Sequence, residues 1–320
     1  MSSAEASAKA TARASQRPAK ASSEDGPDFD VYLAERRNLV ERFLDECVPS
    51  EDTPPHTISR AVRYSLFAGG KRLRPILVLA SAEAVGGSLE TALPAAAAFE
   101  MIHTYSLIHD DLPAMDDDSL RRGKPTSHVV FGDAIAILAG DALQAHAFRI
   151  IAEGASPVDT DRRLRAVALL SDAAGAAGMV GGQVADLEAE GQDVDADGLE
   201  FIHRHKTGAL IRAASEVGAV IGGGDPEQVA RLARYGENIG LAFQIIDDIL
   251  DVVGSAETLG KSAGKDEKAG KATYPHIHGI EKAKQRATEL VGLALEDLAP
   301  FEDQAEPLAR LAERILDRTS

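Results

Sequence analysis

Aspartate residues concentrate in two short segments that lie more than a hundred residues apart in the chain. At ~4 Å, two carboxylates repel each other by about 4 kcal/mol at the effective dielectric constant of a protein surface. Two such clusters predict a bound cation, and an all-oxygen ligand set favours Mg²⁺ shared with substrate phosphates. The clustered residues are Asp110, Asp111, Asp116, Asp117 and Asp118 in the first segment and Asp247, Asp248 and Asp251 in the second.

A long helix is predicted to carry the second cluster. Asp225 is a good N-cap and Pro226 suits the first turn, so the helix is expected to begin here and to end at Gly254. Apolar residues recur along it with helical spacing. Gly236 and Gly240 remove side-chain bulk, and we expect them to let another helix approach closely.

One face of this helix collects acids and an amide. Gln244, Asp247 and Asp251 follow each other at intervals of three and four residues, which places them on one face, and Asp248 borders that face. A solvated helix edge is the alternative interpretation. Such an edge normally mixes acidic and basic residues at four-residue spacing, whereas this one carries only acids, so a functional face is favoured.

The first cluster is predicted to lie at the end of a helix that includes residues Phe99 to Asp111. His103 precedes Asp110 by seven residues and shares its face. Pro113 disfavours helical geometry at Leu112, so the helix is expected to end there. Acids at a helix C-terminus oppose the helix dipole, which is a further reason to expect a cation.

Basic residues flank both clusters, although the net charge of the chain is −17. Arginine and lysine in these positions suit the oxygens of a polyphosphate. A P-loop is excluded because the segment Gly254–Ser262 is one residue too long and follows a helix, and an EF-hand is excluded because its glycine is missing. The flanking residues are Lys71, Arg72, Arg74, Arg121, Arg122, Lys124, Lys206, Lys261 and Lys271.

Helical patterns recur along the chain without a βαβ rhythm, which predicts a single all-α domain at residues 29–320. Residues 1–28 are predicted to be a disordered tail. An organelle transit peptide is the alternative, against which Glu5 counts. Cys47 is the only cysteine, so no internal disulfide can form and a reducing, cytoplasmic location is expected. The acidic charge argues against nucleic acid, and no membrane span is expected.

Five motifs in order resemble those of trans-isoprenyl diphosphate synthases, and the chain is most similar to bacterial farnesyl diphosphate synthases from about residue 30 onward. Any single DDxxD-type motif would be weak evidence, whereas the ordered set is specific. The motifs are Gly-Gly-Lys71-Arg72-Leu-Arg74-Pro, the segment from His103 to Gly123 with both aspartate groups, Lys206-Thr207-Gly, Phe243-Gln244-Ile-Ile-Asp247-Asp248-Ile-Leu-Asp251, and the lysine segments at Lys261 and Lys271.

The resemblance implies an isoprenoid-synthase-type helical bundle around an apolar tunnel, a homodimer, and three Mg²⁺ ions bound with substrate diphosphate. The implied metal ligands are Asp110, Asp111, Asp116, Asp247 and Asp251, and Asp248 and Lys261 count among the catalytic residues. The resemblance implies that isopentenyl diphosphate is bound by Lys71, Arg74, His103 and Arg122. The resemblance further implies that the allylic diphosphate is bound by Arg121, Lys206, Lys261 and Lys271. It also implies that the allylic cation is stabilised by the Lys206 carbonyl, Thr207 and Gln244.

The expected reaction is head-to-tail condensation of isopentenyl diphosphate with dimethylallyl or geranyl diphosphate. By resemblance, Tyr105 and Ser106 form the tunnel floor, and the bulky Tyr105 implies farnesyl diphosphate as the product. If Tyr105 turns toward a neighbouring helix, the small Ser106 leaves room for geranylgeranyl diphosphate. A terpenoid cyclase and a non-catalytic prenyl-diphosphate-binding subunit are further alternatives, and the intact motifs go against both. Only Arg318 resembles the basic C-terminus that closes the site in relatives, so closure is in doubt.

Overall fold

In a computed structural model, the described residues are 27–154, 158–257 and 273–318. They are almost entirely helical, which confirms the all-α prediction. The α-helices are α1 (Pro27–Cys47), α2 (His56–Leu66), α3 (Leu73–Ala84), α4 (Leu89–Asp110), α5 (Ser127–Phe131), α6 (Asp133–Glu153), α7 (Thr160–Ala174), α8 (Met179–Ala189), α9 (Ala196–Ile202), α10 (Ala209–Gly222), α11 (Pro226–Glu257), α12 (Tyr274–His278), α13 (Ile280–Leu298) and α14 (Glu306–Asp317). A π-helix, His203–Gly208, joins α9 to α10, and a 3₁₀-helix, Ala299–Ala305, joins α13 to α14.

Helix α4 lies at the centre of the bundle and packs against α3, α6 and α10. Its middle, Ala95–Ala98, is fully or almost fully buried. Short alanine side chains allow neighbouring helices to approach closely and retain high helix propensity. Pro113 acts as predicted, because α4 ends at Asp110 and the chain turns back within a few residues.

Helix α11 begins where the sequence predicted, since the Asp225 carboxylate accepts the backbone N–H groups of Glu227 and Gln228. The predicted end at Gly254 is wrong, because the helix continues to Glu257. A glycine inside a helix costs only about 1 kcal/mol relative to alanine, so one glycine is a weak stop signal.

The two glycines of α11 permit the close helix approach that was expected. A side chain added at Gly240 would lie 3.1 Å from the Cα of Gly208, at the end of the π-helix. One added at Gly236 would lie 2.8 Å from the Cα of Arg212 in α10. The π-helix and α10 are thereby held directly against α11, the helix of the second cluster.

A small β-hairpin follows the first cluster and was not predicted. Strand β1 (Leu120–Arg121) pairs antiparallel with β2 (Lys124–Pro125). The two turn residues, Arg122 and Gly123, both have positive φ, at 54° and 77°. Positive φ at both positions defines the turn type that suits two-residue hairpins, so an X-Gly pair was the available signal.

Some predictions fall outside the described residues, namely Lys261, Lys271 and nearly all of the tail at residues 1–28. The single-domain boundary stays a prediction. Two stretches, Asp133–Glu153 and Thr160–Ala189, are long and apolar enough to cross a membrane by length and composition alone, which the sequence analysis had not expected. The same test is met by core helices, and α6 packs against α4.

Candidate active site

The first acidic cluster is formed where the chain folds back after α4. The backbone N–H of Asp116 donates to the carbonyl of Asp110 at 2.9 Å, which brings the two acids side by side. Burial raises the pKa of Asp110 to about 6, helped by the charge of Asp116 and opposed by the positive charge of Lys206. Asp110 is therefore an acid whose negative charge the protein alone does not fully compensate.

Asp111 has a different environment from its neighbour Asp110. Its side chain is buried, and Arg121 of β1 donates from Nε to both carboxylate oxygens, at 2.7 and 2.9 Å. Burial raises the pKa of Asp111, and Arg121 acts against that shift. The hairpin thus serves to fix Arg121 at the first cluster, and the assignment of Asp111 as a metal ligand stays a prediction.

In the second cluster, too, the two neighbouring acids have different partners. Asp247 pairs with Arg318 at 2.7 Å, near the end of the chain. Burial raises the pKa of Asp247, while the charges of Arg318 and Lys71 oppose the shift. Asp248 instead contacts His203 at 3.0 Å and accepts the backbone N–H of Tyr274 at 2.8 Å.

The π-helix connects the two clusters. Its residue Thr207 donates from Oγ1 to Oε1 of Gln244 at 3.1 Å, one turn before Asp247. Its residue Lys206 is near enough to Asp110 for their charges to interact. Lys206 therefore interacts with the first acidic cluster, while Thr207 contacts the helix of the second; their roles toward a substrate stay predictions. π-Helical turns are rare and often occur at functional sites.

Lys206 has a partner that the sequence analysis missed. Its Nζ donates to the carboxylate of Asp186 in α8 at 2.6 Å. Helix α8 reaches this position because Gly182 lies against the backbone of Lys206, where an added side chain would collide. Asp186 stands among other acidic residues in the sequence, so nothing in its spacing distinguished it.

A group of basic side chains lies beside the first cluster. His103 is neighboured by Arg74 and Arg122, and their charges add to the effect of burial in lowering the pKa of His103 well below its usual range. The Arg122 guanidinium lies against Gly70, where an added side chain would be 2.5 Å from Nη1. Concentrated positive charge with a neutral imidazole donor suits a diphosphate.

Arg72 is one of the basic residues that flank the first cluster in the sequence, but the structure buries it. Its side chain donates to Glu100 at 2.5 Å, to Glu41 at 2.8 Å and to the carbonyl of Leu66 at 2.7 Å. Arg72 thus ties α1, α2 and α4 together behind the basic group. Glu100 was also missed, although a charged residue inside an apolar run signals a buried pair.

The two predicted floor residues face different surroundings on α4. Ser106 donates its hydroxyl to the carbonyl of His103 within the helix, at 2.8 Å. Tyr105 is buried, and its ring meets the ring of His109 edge-on at 5.6 Å. His109 in turn lies 3.1 Å from the carbonyl of Ile137 on α6. Tyr105 is thus oriented toward the α6 side of the helix.

Arg318 reaches the site despite the doubt about closure by the C-terminus. Besides its pair with Asp247, its guanidinium lies over the ring of Phe243 at 5.0 Å from the centroid. Cation–π contacts of this kind add about 0.5–1 kcal/mol at partly exposed positions. The last described turn of the chain therefore covers one acid of the second cluster.

The acids present fit a hard divalent cation. They offer only oxygen, and the pKa values of Asp110 and Asp247 are raised by burial, so both would be stabilised by a positive ion. Within the described ranges, no three acidic or histidine side chains already converge as a ready-made metal site. This arrangement suits Mg²⁺ held by one or two carboxylates with substrate phosphates.

Known proteins share this architecture. A family model described as polyprenyl synthetase matches residues 55–306. Dimethylallyltranstransferase of Fischerella ambigua is 55% identical over 289 residues, 90% of this chain and 83% of that protein. Geranylgeranyl diphosphate synthase of Cyanophora paradoxa is 50% identical over 291 residues, 91% and 96% of the two chains. An apo FPP/GFPP synthase structure from Zymomonas mobilis is similar with a TM-score of 0.81 and 40% identity, covering 90% of this chain and 99% of that one. This likeness confirms the type of helical bundle that was expected.

Proposed function

Because the chain belongs to the polyprenyl synthetase family and is a short-chain trans-prenyltransferase, we propose that it condenses isopentenyl diphosphate with an allylic diphosphate, dimethylallyl or geranyl. The observation that carries this proposal is the position of the π-helix. It places Lys206 beside Asp110 and Thr207 beside Gln244. In this proposal the two acidic clusters and the group of basic residues border one site.

Each diphosphate has its own group of side chains in this proposal. Arg74, His103 and Arg122 lie together and would hold isopentenyl diphosphate, with Lys71 near Asp247. Arg121 and Lys206 lie at the first cluster and would hold the allylic diphosphate. Lys261 and Lys271 are assigned to the same diphosphate, on the resemblance alone.

Asp110, Asp111, Asp116, Asp247 and Asp251 would hold Mg²⁺, three ions in all. Bound there, Mg²⁺ supplies charge neutralisation that makes diphosphate a competent leaving group. Lys206 adds positive charge at the same place. The Lys206 carbonyl, the Thr207 hydroxyl and the Gln244 amide oxygen would stabilise the allylic cation without attacking it, and apolar walls of a tunnel would exclude water.

Farnesyl diphosphate is the first candidate product, because Tyr105 is bulky and buried on α4 one residue from Ser106. Geranylgeranyl diphosphate is the second candidate. The orientation of Tyr105 toward His109 and α6 favours it, since that orientation leaves the small Ser106 on the side of Asp110. The relative named geranylgeranyl diphosphate synthase is consistent with the second candidate.

A homodimer is proposed through an apolar surface on α5 and α6. Val129 and Leu138 are each 53% exposed, and Val130 and Ile137 are also exposed. Exposed apolar side chains grouped on two successive helices support a protein interface there. A cytoplasmic location remains a prediction, as does the absence of nucleic-acid and membrane partners.

The test incubates the purified protein with labelled isopentenyl diphosphate, Mg²⁺ and each allylic primer in turn, and sizes the dephosphorylated products by chromatography. Asp110→Ala and Asp247→Ala are expected to lower turnover by at least about 100-fold while the helical circular dichroism is retained. Binding of prenyl diphosphate without any elongation by the wild type would instead support the non-catalytic alternative. Wild-type rates in both variants would refute the metal assignment.

A further inference from the structure

Asp248 is a carboxylate of the second cluster that contacts two other segments of the protein. One oxygen, Oδ2, lies 3.0 Å from Nε2 of His203 and 2.8 Å from the backbone nitrogen of Tyr274. The side chains of Asp248 and His203 are only 12% and 9% exposed. The adjacent Asp247 faces Arg318 and Lys71 instead.

These two contacts join three segments that build the site. Asp248 belongs to α11, His203 is the first residue of the π-helix, and Tyr274 is the first residue of α12. The hydrogen bond from Thr207 to Gln244 fixes the other end of the π-helix to α11. The π-helix, which carries Lys206, is therefore held to α11 at both ends. Asp248 contacts its first residue, His203, and the Gln244 side chain contacts Thr207 near its other end.

We propose that Asp248 is a positioning residue rather than a metal ligand. It holds the π-helix so that Lys206 and Thr207 face the allylic diphosphate, and it holds the start of α12. The inference rests on the proposed function, because it assigns Lys206 and Thr207 to that substrate. A displacement of about 1 Å at a positioning segment can lower the rate about 100-fold.

The first cluster has a parallel arrangement. Asp111, the second acid of its pair, is held by Arg121 through both oxygens, whereas Asp110 interacts with Lys206. In each pair the second acid is held by a hydrogen-bonding partner from another segment, Arg121 for Asp111 and His203 for Asp248. The first acid of each pair also meets a cation, Lys206 for Asp110 and Arg318 for Asp247.

The experiment compares Asp248→Asn with Asp247→Asn. Asparagine at 248 retains the volume and an acceptor oxygen but loses the charge that favours the two donors. For Asp248→Asn we expect kcat/KM for the allylic substrate to fall about 100-fold, with KM for isopentenyl diphosphate within about twofold of wild type. For Asp247→Asn we expect the Mg²⁺ concentration at half-saturation to rise at least about tenfold.

Two measurements do not depend on turnover. Calorimetric titration of Mg²⁺, at concentrations of an unreactive allylic thiolodiphosphate that saturate each protein, should give the same metal affinity for Asp248→Asn and wild type. Hydrogen exchange of the Tyr274 amide should be faster in Asp248→Ala, because that N–H loses its acceptor. His203→Ala should reproduce the kinetic change, and the Asp248→Asn, His203→Ala double variant should lose less than the product of the single effects.

Glu237→Gln is the matched control. Glu237 of α11 pairs with Arg204 of the π-helix at 2.7 Å, so it joins the same two elements, but on an exposed edge. We expect its allylic kcat/KM to remain within about twofold of wild type. If Glu237→Gln lowers allylic kcat/KM as much as Asp248→Asn does, the effect is a general loosening of this helix contact, and the inference is overturned.

The positioning role is also refuted if Asp248→Asn weakens Mg²⁺ binding as strongly as Asp247→Asn, or if the effects of Asp248→Asn and His203→Ala multiply independently. Thermal unfolding of each variant by circular dichroism identifies misfolding, and the more conservative His203→Asn then replaces His203→Ala. Absence of elongation by the wild type would contradict the proposed function itself, and metal titration and Tyr274 exchange would still decide the role of Asp248.

Discussion

Replacing Asp110 with asparagine is expected to stabilise the metal-free protein while abolishing its turnover. Asp110 is partly buried beside other acids, and its pKa is raised from 3.8 to about 6. A pKa raised this far corresponds to about 3 kcal/mol of preference for the neutral form in the folded state. The asparagine side chain is always neutral and has nearly the same shape as aspartate, so this penalty is removed at neutral pH.

The sign of the pH dependence follows from the direction of the shift. Because the folded pKa lies above the unfolded one, the ionised carboxylate is less favourable in the folded protein than in the unfolded chain. The penalty is fully present above about pH 6 and absent below about pH 3.8. The advantage of Asp110→Asn should therefore be largest near neutral pH, decrease as the pH falls through 6, and vanish near pH 4.

The assay is thermal unfolding by differential scanning calorimetry in a metal chelator, at equal protein concentrations because an oligomer would make Tm concentration-dependent. For a chain of this size, 3 kcal/mol corresponds to a rise in Tm of about 4.5 °C near neutral pH. Added Mg²⁺ with an unreactive diphosphate should raise the Tm of wild type more than that of the variant.

Asp141→Asn, at an exposed position on α6, is the control and should change stability by less than about 0.5 kcal/mol at every pH. The reasoning is refuted if Asp110→Asn and wild type unfold at the same temperature near neutral pH. An advantage that grows as the pH falls would equally contradict it, since that trend belongs to a carboxylate with a lowered pKa.

Three further outcomes are expected. Tyr105→Ala should lengthen the main product by one isoprene unit, whereas an unchanged chromatogram would remove Tyr105 from the tunnel floor. Arg318→Ala frees Asp247 of its partly exposed cation, so Mg²⁺ should bind up to about fivefold more tightly in calorimetry, and unchanged affinity would show that this pair is unimportant. Gly182→Ala should push α8 from the backbone of Lys206 and lower allylic kcat/KM at least about tenfold, and wild-type kinetics would mean that this contact is dispensable.

The sequence predicted the helices and clusters because both depend on local signals. Helical spacing placed Gln244 and Asp247 on one side of α11, and the cap at Asp225 fixed where that helix begins. Pro113 predicted the end of α4. Glycines at 236 and 240 indicated a close helix contact, which the structure assigns to α10 and the π-helix.

The missed features depend on long-range contacts. The π-helix has no sequence pattern of its own, and it is stabilised by partners such as Gln244 and Asp248, which lie about forty residues away. Asp186 gains its role only because α8 packs on Lys206. Whether Arg72 faces solvent or a buried acid likewise depends on how α1 and α4 meet, which its motif does not encode.

The contacts of the acids explain how so much negative charge is tolerated before substrate binds. Asp111 is paired with Arg121 and Asp247 with Arg318, while Lys206 pairs with Asp186 and offsets the charge of Asp110. Arg121 and Lys206 are also the cations assigned to the allylic diphosphate. If diphosphate binds these cations, the acids that were paired with them lose their positive partners. If Mg²⁺ binds the acids, the cations become available to diphosphate. In the proposed site each ligand would thus remove the electrostatic cost of binding the other, and we expect the affinities of Mg²⁺ and diphosphate to rise together.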